Sequence, residues 1–179
     1  SLNYFPFLKQ DGLDPVHMDP KGSLFHKMAV LREVMKADVV VVLRKTFSFP
    51  FRRLIQFLSK TLVFDFDDAI FAKSSGDSSK TRMDRFKSML AKVDHVWAGN
   101  RYLAENAEQC IDSVEILPTA VDLTRYKTTE AKPDNSIDIV WIGSSSTKKY
   151  LEALIPMLEK LAEKVPHVRL KIIADFDLD

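Results

Sequence analysis

Leu62-Val63-Phe64-Asp65-Phe66-Asp67-Asp68-Ala69-Ile70-Phe71 is the stretch on which the reading of the fold turns. It opens as an apolar strand and closes in three clustered carboxylates. A strand that is apolar almost throughout, rather than alternating, suits a parallel sheet covered by helices. Carboxylates at the carboxyl end of such a strand stand where open α/β sheets bind their ligands.

Working outward, similar apolar runs recur at Val39–Leu43, His95–Ala98, Val114–Leu117, Asp138–Ile142 and Val168–Ala174. Between them lie stretches with helical periodicity. Leu24, Met28, Leu31 and Met35 mark one face of Ser23–Lys36. Met83, Phe86, Met89 and Leu90 mark one face of Arg82–Lys92. Leu151, Leu154, Ile155, Leu158, Leu161 and Ala162 do so in Lys148–Lys164. Each stripe predicts a buried helix face, and Pro156 predicts a kink or a break in the last helix. The alternation predicts the fold class: α/β, a Rossmann-like parallel sheet flanked by helices.

The polar run 127–136 (KTTEAKPDNS) reads as a linker. It divides an N-terminal domain, 1–126, from an opening β-α-β unit, 137–179, that is too short to bury a core alone. At 179 residues, the chain holds one mid-sized domain with a sizeable core, where two full α/β domains need nearly twice the length.

Composition narrows the function. Twenty-six Lys and Arg against 25 Asp and Glu leave a net charge of +1, without the basic excess of a general nucleic-acid binder. With 46% hydrophobic and 28% charged residues, the expectation is an ordinary soluble protein of a reducing compartment. Apolar runs are too short for a membrane-spanning helix, and Pro6, Lys9 and Asp11 interrupt any signal-peptide-like start. The single Cys110 excludes an internal disulfide and a cysteine-based metal cluster. Gly12, Gly22, Gly76, Gly99 and Gly143 form neither a dinucleotide-binding fingerprint nor a Walker A loop. The four histidines show no close-spaced metal-ligand pattern, and no G-x-S-x-G elbow occurs.

The carboxylate cluster admits two chemistries. Like charges this close raise one another's pKa values and call for a cation, a basic side chain or a hydroxylated ligand. In a dehalogenase-type phosphatase, D-x-D after an apolar strand makes Asp65 the nucleophile and Asp67 the acid/base, the pair holding Mg²⁺. Asp175 and Asp177 would then supply the late acidic motif. Against that, Ala69-Ile70 replaces the usual Thr and aliphatic pair, and 64 residues precede Asp65. In the second chemistry the carboxylates accept hydrogen bonds from sugar or polyol hydroxyls. Capping of the following segment by Asp65 or Asp68 is the structural alternative to both.

Three further segments bear on the choice. Ala98-Gly99-Asn100-Arg101-Tyr102-Leu103-Ala104 reads as a strand end, a turn and a helix with Asn100 as its N-cap. Ile116-Leu117-Pro118-Thr119-Ala120-Val121-Asp122 follows, continuing to Leu123-Thr124-Arg125-Tyr126. In Trp141-Ile142-Gly143-Ser144-Ser145-Ser146-Thr147-Lys148-Lys149 a strand ends in glycine, and four hydroxyl residues precede a helix. Those helix-start amides and the lysines suit a phosphate; plain capping by Ser145 or Ser146 is the alternative.

In their order, these segments resemble glycosyltransferase family 4 (glycosyl transferase group 1), which has the two-Rossmann-domain GT-B architecture. The resemblance runs from about Tyr4 onward. It implies transfer of a sugar from a nucleotide-sugar, UDP- or GDP-linked, to an acceptor hydroxyl, with retention and without a bound metal or other cofactor. It assigns a catalytic position to Asp67 and acceptor contacts to Asp68, Asn100, Arg101 and Thr119. Donor contacts fall to Gly143, Ser144, Ser145, Lys148 and Lys149, the lysines standing in for the arginine that many relatives carry after the glycine. The acceptor class implied is a saccharide or a lipid-linked compound in polysaccharide biosynthesis. A cytoplasmic location follows, with peripheral contact at the inner membrane face and oligomerisation left open.

Two departures qualify the resemblance. The first strand of the N-terminal domain and the later part of the second domain, with the E-x7-E donor motif, have no counterpart here. The expectation is a fragment with weak activity or none, and a non-catalytic sugar- or nucleotide-binding role stands beside it. Among weaker features, Arg44-Lys45 follow a strand end and either face an anionic acceptor or sit in a solvated loop. Arg52-Arg53, among Phe49, Phe51, Ile55 and Phe57, read as a contact for anionic lipid or as an amphipathic core helix with solvated arginines. Trp97 and Trp141 read as core.

Overall fold

The computed structural model describes residues 4–73, 75–121 and 136–177. The chain forms two compact units, 1–121 and 122–179. The sequence reading puts its linker at 127–136, of which 127–135 lie outside the described residues, as do Asp122 to Tyr126 and the terminal Leu178-Asp179.

In the first unit the elements run α1 (Phe5–Gln10), α2 (Leu24–Lys36), β1 (Val40–Leu43), α3 (Phe49–Leu58), β2 (Leu62–Phe66), α4 (Lys80–Leu90), β3 (His95–Ala98), α5 (Arg101–Glu108) and β4 (Val114–Ile116). The four strands pair in parallel in the order β1-β2-β3-β4. Each consecutive parallel pair needs a crossover, and one handedness places the crossover helices on one face. The core shows this directly. Val42, Leu62, Phe64, Phe66, Val96 and Ala98 share one sheet face. They are buried with Ile55 of α3, with Phe86, Met89 and Leu90 of α4, and with Leu103, Ala104 and Ala107 of α5. Aromatic rings fill the middle: Phe86 lies 5.2 Å from Phe66 and 5.1 Å from Phe71. The elements are also tied at their ends. Ser23 and Ser79 cap α2 and α4 through their hydroxyls, and the Asp94 carboxylate accepts from the Leu62 amide at 2.7 Å.

The α/β fold class holds, with parallel sheets flanked by helices. Two of the three helix faces do not. In α2 the stripe Leu24, Met28, Leu31 and Met35 was expected to be buried. Leu24 is 73% exposed and Met28 and Met35 are 50% exposed. Val30 and Val34 are the buried residues. The face that a helix buries is set by the neighbour it meets, and α2 meets α3. In α4, Phe86, Met89 and Leu90 are buried as the periodicity predicts, and Met83 is half-buried.

The second unit consists of β5 (Ile137–Ile142), a 3₁₀ turn (Ser145–Thr147), α6 (Lys148–Lys164) and β6 (Val168–Ile173). β5 and β6 pair in parallel over six residues. Only Leu151 of the α6 stripe is fully buried, and Leu154 is exposed. A two-stranded sheet is too narrow to cover a 17-residue helix. Pro156 lies inside α6 without dividing it. Trp97 and Trp141 are half-buried rather than core. Among the described residues no helix is long and apolar enough to cross a membrane.

Candidate functional site

Because the first sheet is wholly parallel, the segments after β1, β2, β3 and β4 leave it at one edge, the carboxyl edge. Arg44, Asp67, Asn100 and Thr119 all follow strand ends there. Arg44 has a left-handed backbone, φ +57°, the one described non-glycine residue with positive φ. Such a conformation disfavours a side-chain-bearing residue by about 1 kcal/mol or more and persists where its surroundings fix it. Here two contacts do so. The Arg44 amide donates to the Asp65 carbonyl at 2.8 Å, and its guanidinium donates to Asp67 Oδ2.

Asp67 is held from the other side by Gly99. A Cβ built on Gly99 would stand 2.9 Å from both Cα and Cβ of Asp67, so only glycine lets the two turns approach. The Gly99 amide donates to the Phe66 carbonyl at 2.9 Å, which locks this approach in place. Asp67 Oδ2 is ion-paired, while Oδ1 is shielded from solvent and has no partner among the described residues. A buried acceptor left in this way costs about 1–3 kcal/mol until a donor reaches it.

Asp65 is half-buried on the sheet face opposite the main core. Burial pushes its carboxyl above the ordinary value, the nearby Asp67 charge pushes it further, and Arg44 partly opposes both. A raised folded-state pKa means that the ionised form disfavours folding. That effect is absent in acid, below the unfolded-state value, and grows as pH rises through the folded-state value. Asp65→Asn is therefore expected to raise the melting temperature at neutral pH by roughly a few degrees and to change nothing in acid. Thermal unfolding of both proteins across pH checks this; a variant less stable than the parent by a margin that grows with pH would show Asp65 to be stabilised as the anion.

The other sequence-predicted residues of this unit have local roles. Asn100 is the N-cap of α5, its side-chain oxygen accepting from the Leu103 amide at 3.0 Å. Arg101 pairs with Glu105 (3.1 Å) and Glu108 (3.6 Å) on its own helix. Asp68 and Thr119 are exposed. Arg44, which the sequence left between a ligand role and a solvated loop, is the cation that the carboxylate cluster called for. Its pairing follows from β1 and β2 being adjacent and parallel, which residue spacing alone does not reveal.

In the second unit, Gly143 lies at the end of β5, where a Cβ would collide with the Trp141 ring and come within 2.7 Å of Thr147 Oγ1. The Ser144 amide donates to Thr147 Oγ1 at 3.0 Å, and the Thr147 amide donates back to the Ser144 carbonyl at 2.8 Å. The Ser145 amide donates to Asp175 Oδ1 at 2.7 Å. A carboxylate of the chain itself thus sits at this helix start. Lys148 reaches the Asp177 carbonyl (3.3 Å) and lies 5.3 Å from the Phe176 ring centre. Lys149 lies over Tyr150. Among the described residues no group of three His, Cys, Asp or Glu is placed to hold a metal ion.

No protein-family model and no curated protein matches the sequence. Among solved structures the chain is similar to Anabaena Alr3699/HepE in complex with UDP, at TM-score 0.54 and 13% identity, over 96% of this chain and 58% of HepE. The likeness is one of fold. The UDP-glucose complex of HepE gives TM-score 0.54 and 12% identity over 98% of this chain and 59% of HepE. The Glycosylation Associate Protein (Gap123) complex from Streptococcus agalactiae gives TM-score 0.45 and 16% identity over 84% and 28%. This chain therefore spans about three-fifths of HepE and less of Gap123.

Proposed function

We propose that the chain is part of a GT-B glycosyltransferase resembling family 4, which moves a hexosyl group from a UDP- or GDP-sugar to an acceptor hydroxyl with retention and without metal. The observation that carries this reading is the Asp67 carboxylate at the carboxyl edge of the first sheet. Arg44 pairs with one of its oxygens, and the other lacks a donor among the described residues. That is an acceptor for a substrate hydroxyl, held by the protein and able to stabilise positive charge at a reacting sugar carbon. The fold likeness to HepE, a protein that binds UDP and UDP-glucose, supports a nucleotide-sugar as the other substrate. Asp68, Asn100, Arg101 and Thr119 follow strand ends at the same sheet edge, and on this reading they meet a saccharide or lipid-linked acceptor. Gly143, Ser144, Ser145, Lys148 and Lys149 are the donor-phosphate side, with Asp175 displaced from the Ser145 amide when a diphosphate binds.

The phosphatase alternative fits less well. It needs Asp65 ionised as a nucleophile and Asp67 free to share a cation. Arg44 already pairs with Asp67.

Calorimetric titration with UDP, GDP and their sugars, each with EDTA and with Mg²⁺, tests the reading. The expected result is binding of one nucleotide, unchanged by EDTA and weakened by Ser145→Pro, which deletes the amide that a phosphate would take from Asp175. Magnesium binding without nucleotide preference would overturn it in favour of the phosphatase.

A further inference from the structure

The register of the first sheet places Asp65, Trp97 and Glu115 side by side. Asp65 of β2 pairs with Trp97 of β3, and Trp97 pairs with Glu115 of β4. Directly paired residues leave a sheet on the same side, on strands about 4.8 Å apart. The three therefore form one row, an indole between two carboxylates. Phe64, Phe66, Val96 and Ala98, which alternate with Asp65 and Trp97 along their strands, carry the helix-covered core. The row thus stands on the opposite face.

Glu115 is exposed, and Asp65 and Trp97 are partly exposed. Neither carboxylate has a hydrogen-bond or ion-pair partner among the described residues, and the Trp97 indole N–H has no acceptor there. All three groups reach solvent; the side-chain polar atoms shut away without a partner belong to Arg52 and Asp67. Asp65 also disfavours folding when ionised, since burial and the Asp67 charge raise its pKa. Residues kept against stability in this way are expected at functional sites.

A flat apolar surface between hydroxyl acceptors matches a pyranose ring. The C–H face of such a ring lies on an aromatic plate, and its hydroxyls donate to carboxylates, which have several acceptor positions each. Other ligand classes fit less well. Two carboxylates repel an anion, and among the described residues no group of three His, Cys, Asp or Glu is placed to hold a metal ion.

We propose that this face binds a saccharide, with one pyranose ring on Trp97 and its hydroxyls donating to Asp65 and Glu115. The row lies one residue short of the ends of β2, β3 and β4. The sugar therefore sits near the carboxyl edge but on the face of the sheet, apart from the turn that carries Asp67. The proposal stands independently of the transferase reading.

The chain has two tryptophans, so Trp141→Phe leaves Trp97 with the one indole N–H resonance. The test titrates maltotriose, cellotriose, mannotriose and chitotriose into the full chain with that substitution, followed at this resonance by nitrogen-edited NMR. Sorbitol is the control, rich in hydroxyls but without a ring face. The expected result is a saturable shift with at least one trisaccharide and none with sorbitol, about tenfold weaker in Glu115→Ala. Glu115 is exposed on an edge strand, so that variant keeps the fold. Saturation transfer from protein to sugar reads the same binding in Trp97→Leu, where it should vanish. No saturable shift with any trisaccharide, an equal shift with sorbitol, or an affinity unchanged by Glu115→Ala overturns the proposal.

Discussion

Phe86→Ala is expected to remove about 3–5 kcal/mol of stability from the first unit, enough to leave much of it unfolded. Phe86 is fully buried, and its ring meets Phe64 at 6.4 Å, Phe66 at 5.2 Å and Phe71 at 5.1 Å. Truncation empties the centre of the layer between sheet and helices. The rings around it cannot close the gap, because Phe64 is fixed in β2 by ladders on both sides and Phe66 by its pairing with β3. Urea unfolding followed by circular dichroism measures the loss. Phe57→Ala is the control: that ring is 85% exposed, and its removal should move the midpoint little. A loss of under about 1 kcal/mol for Phe86→Ala would mean that this layer is loosely packed.

Gly99→Ala is expected to cost about 1–3 kcal/mol and to dislodge the candidate catalytic carboxylate as well. The added methyl group would stand 2.9 Å from backbone and Cβ atoms of Asp67, neither of which is the far end of a flexible side chain. Either the turn after β2 or the start of α5 has to move, and Asp67 then leaves Arg44. The melting temperature should fall, and the Arg44 guanidinium N–H resonances should shift, because the carboxylate they meet has withdrawn. Unshifted Arg44 resonances beside a lowered melting temperature would show that the strain is absorbed by α5 alone.

These effects also show what the sequence makes visible. β2 and β3 are legible to the residue because they lie in the sheet interior, paired on both sides. The ends of β1, β4, β5 and β6 shift by one residue each, where partners on only one side leave the boundary to hydrogen bonding. The α4 stripe is legible because α4 crosses the middle of the sheet. The α2 stripe misleads because its buried face depends on α3, a contact that no periodicity encodes. In the site, Asp67 is marked by its place after an apolar strand. Its partner Arg44 and its wall Gly99 come from sequence positions 23 and 32 residues away, joined only by strand adjacency. The buried Arg52 is the reverse case. Composition argues that arginine is solvated, and burial of one without a carboxylate is visible only in three dimensions.

One consequence of the strand order concerns β1. Among the described residues its outer edge has no neighbour, Val39 and Val41 are 53% and 39% exposed, and four valines and a leucine follow one another without a charge. Unpaired backbone donors and acceptors along such a run are a template for a strand from another molecule. Flanking charges usually guard against this, yet here they are already neutralised: Asp38 by Lys60 at 2.7 Å, and Arg44 by Asp67. The ion pair that organises the candidate site therefore also strips the edge of a gatekeeper, and protein concentration becomes a variable in how this chain behaves in solution.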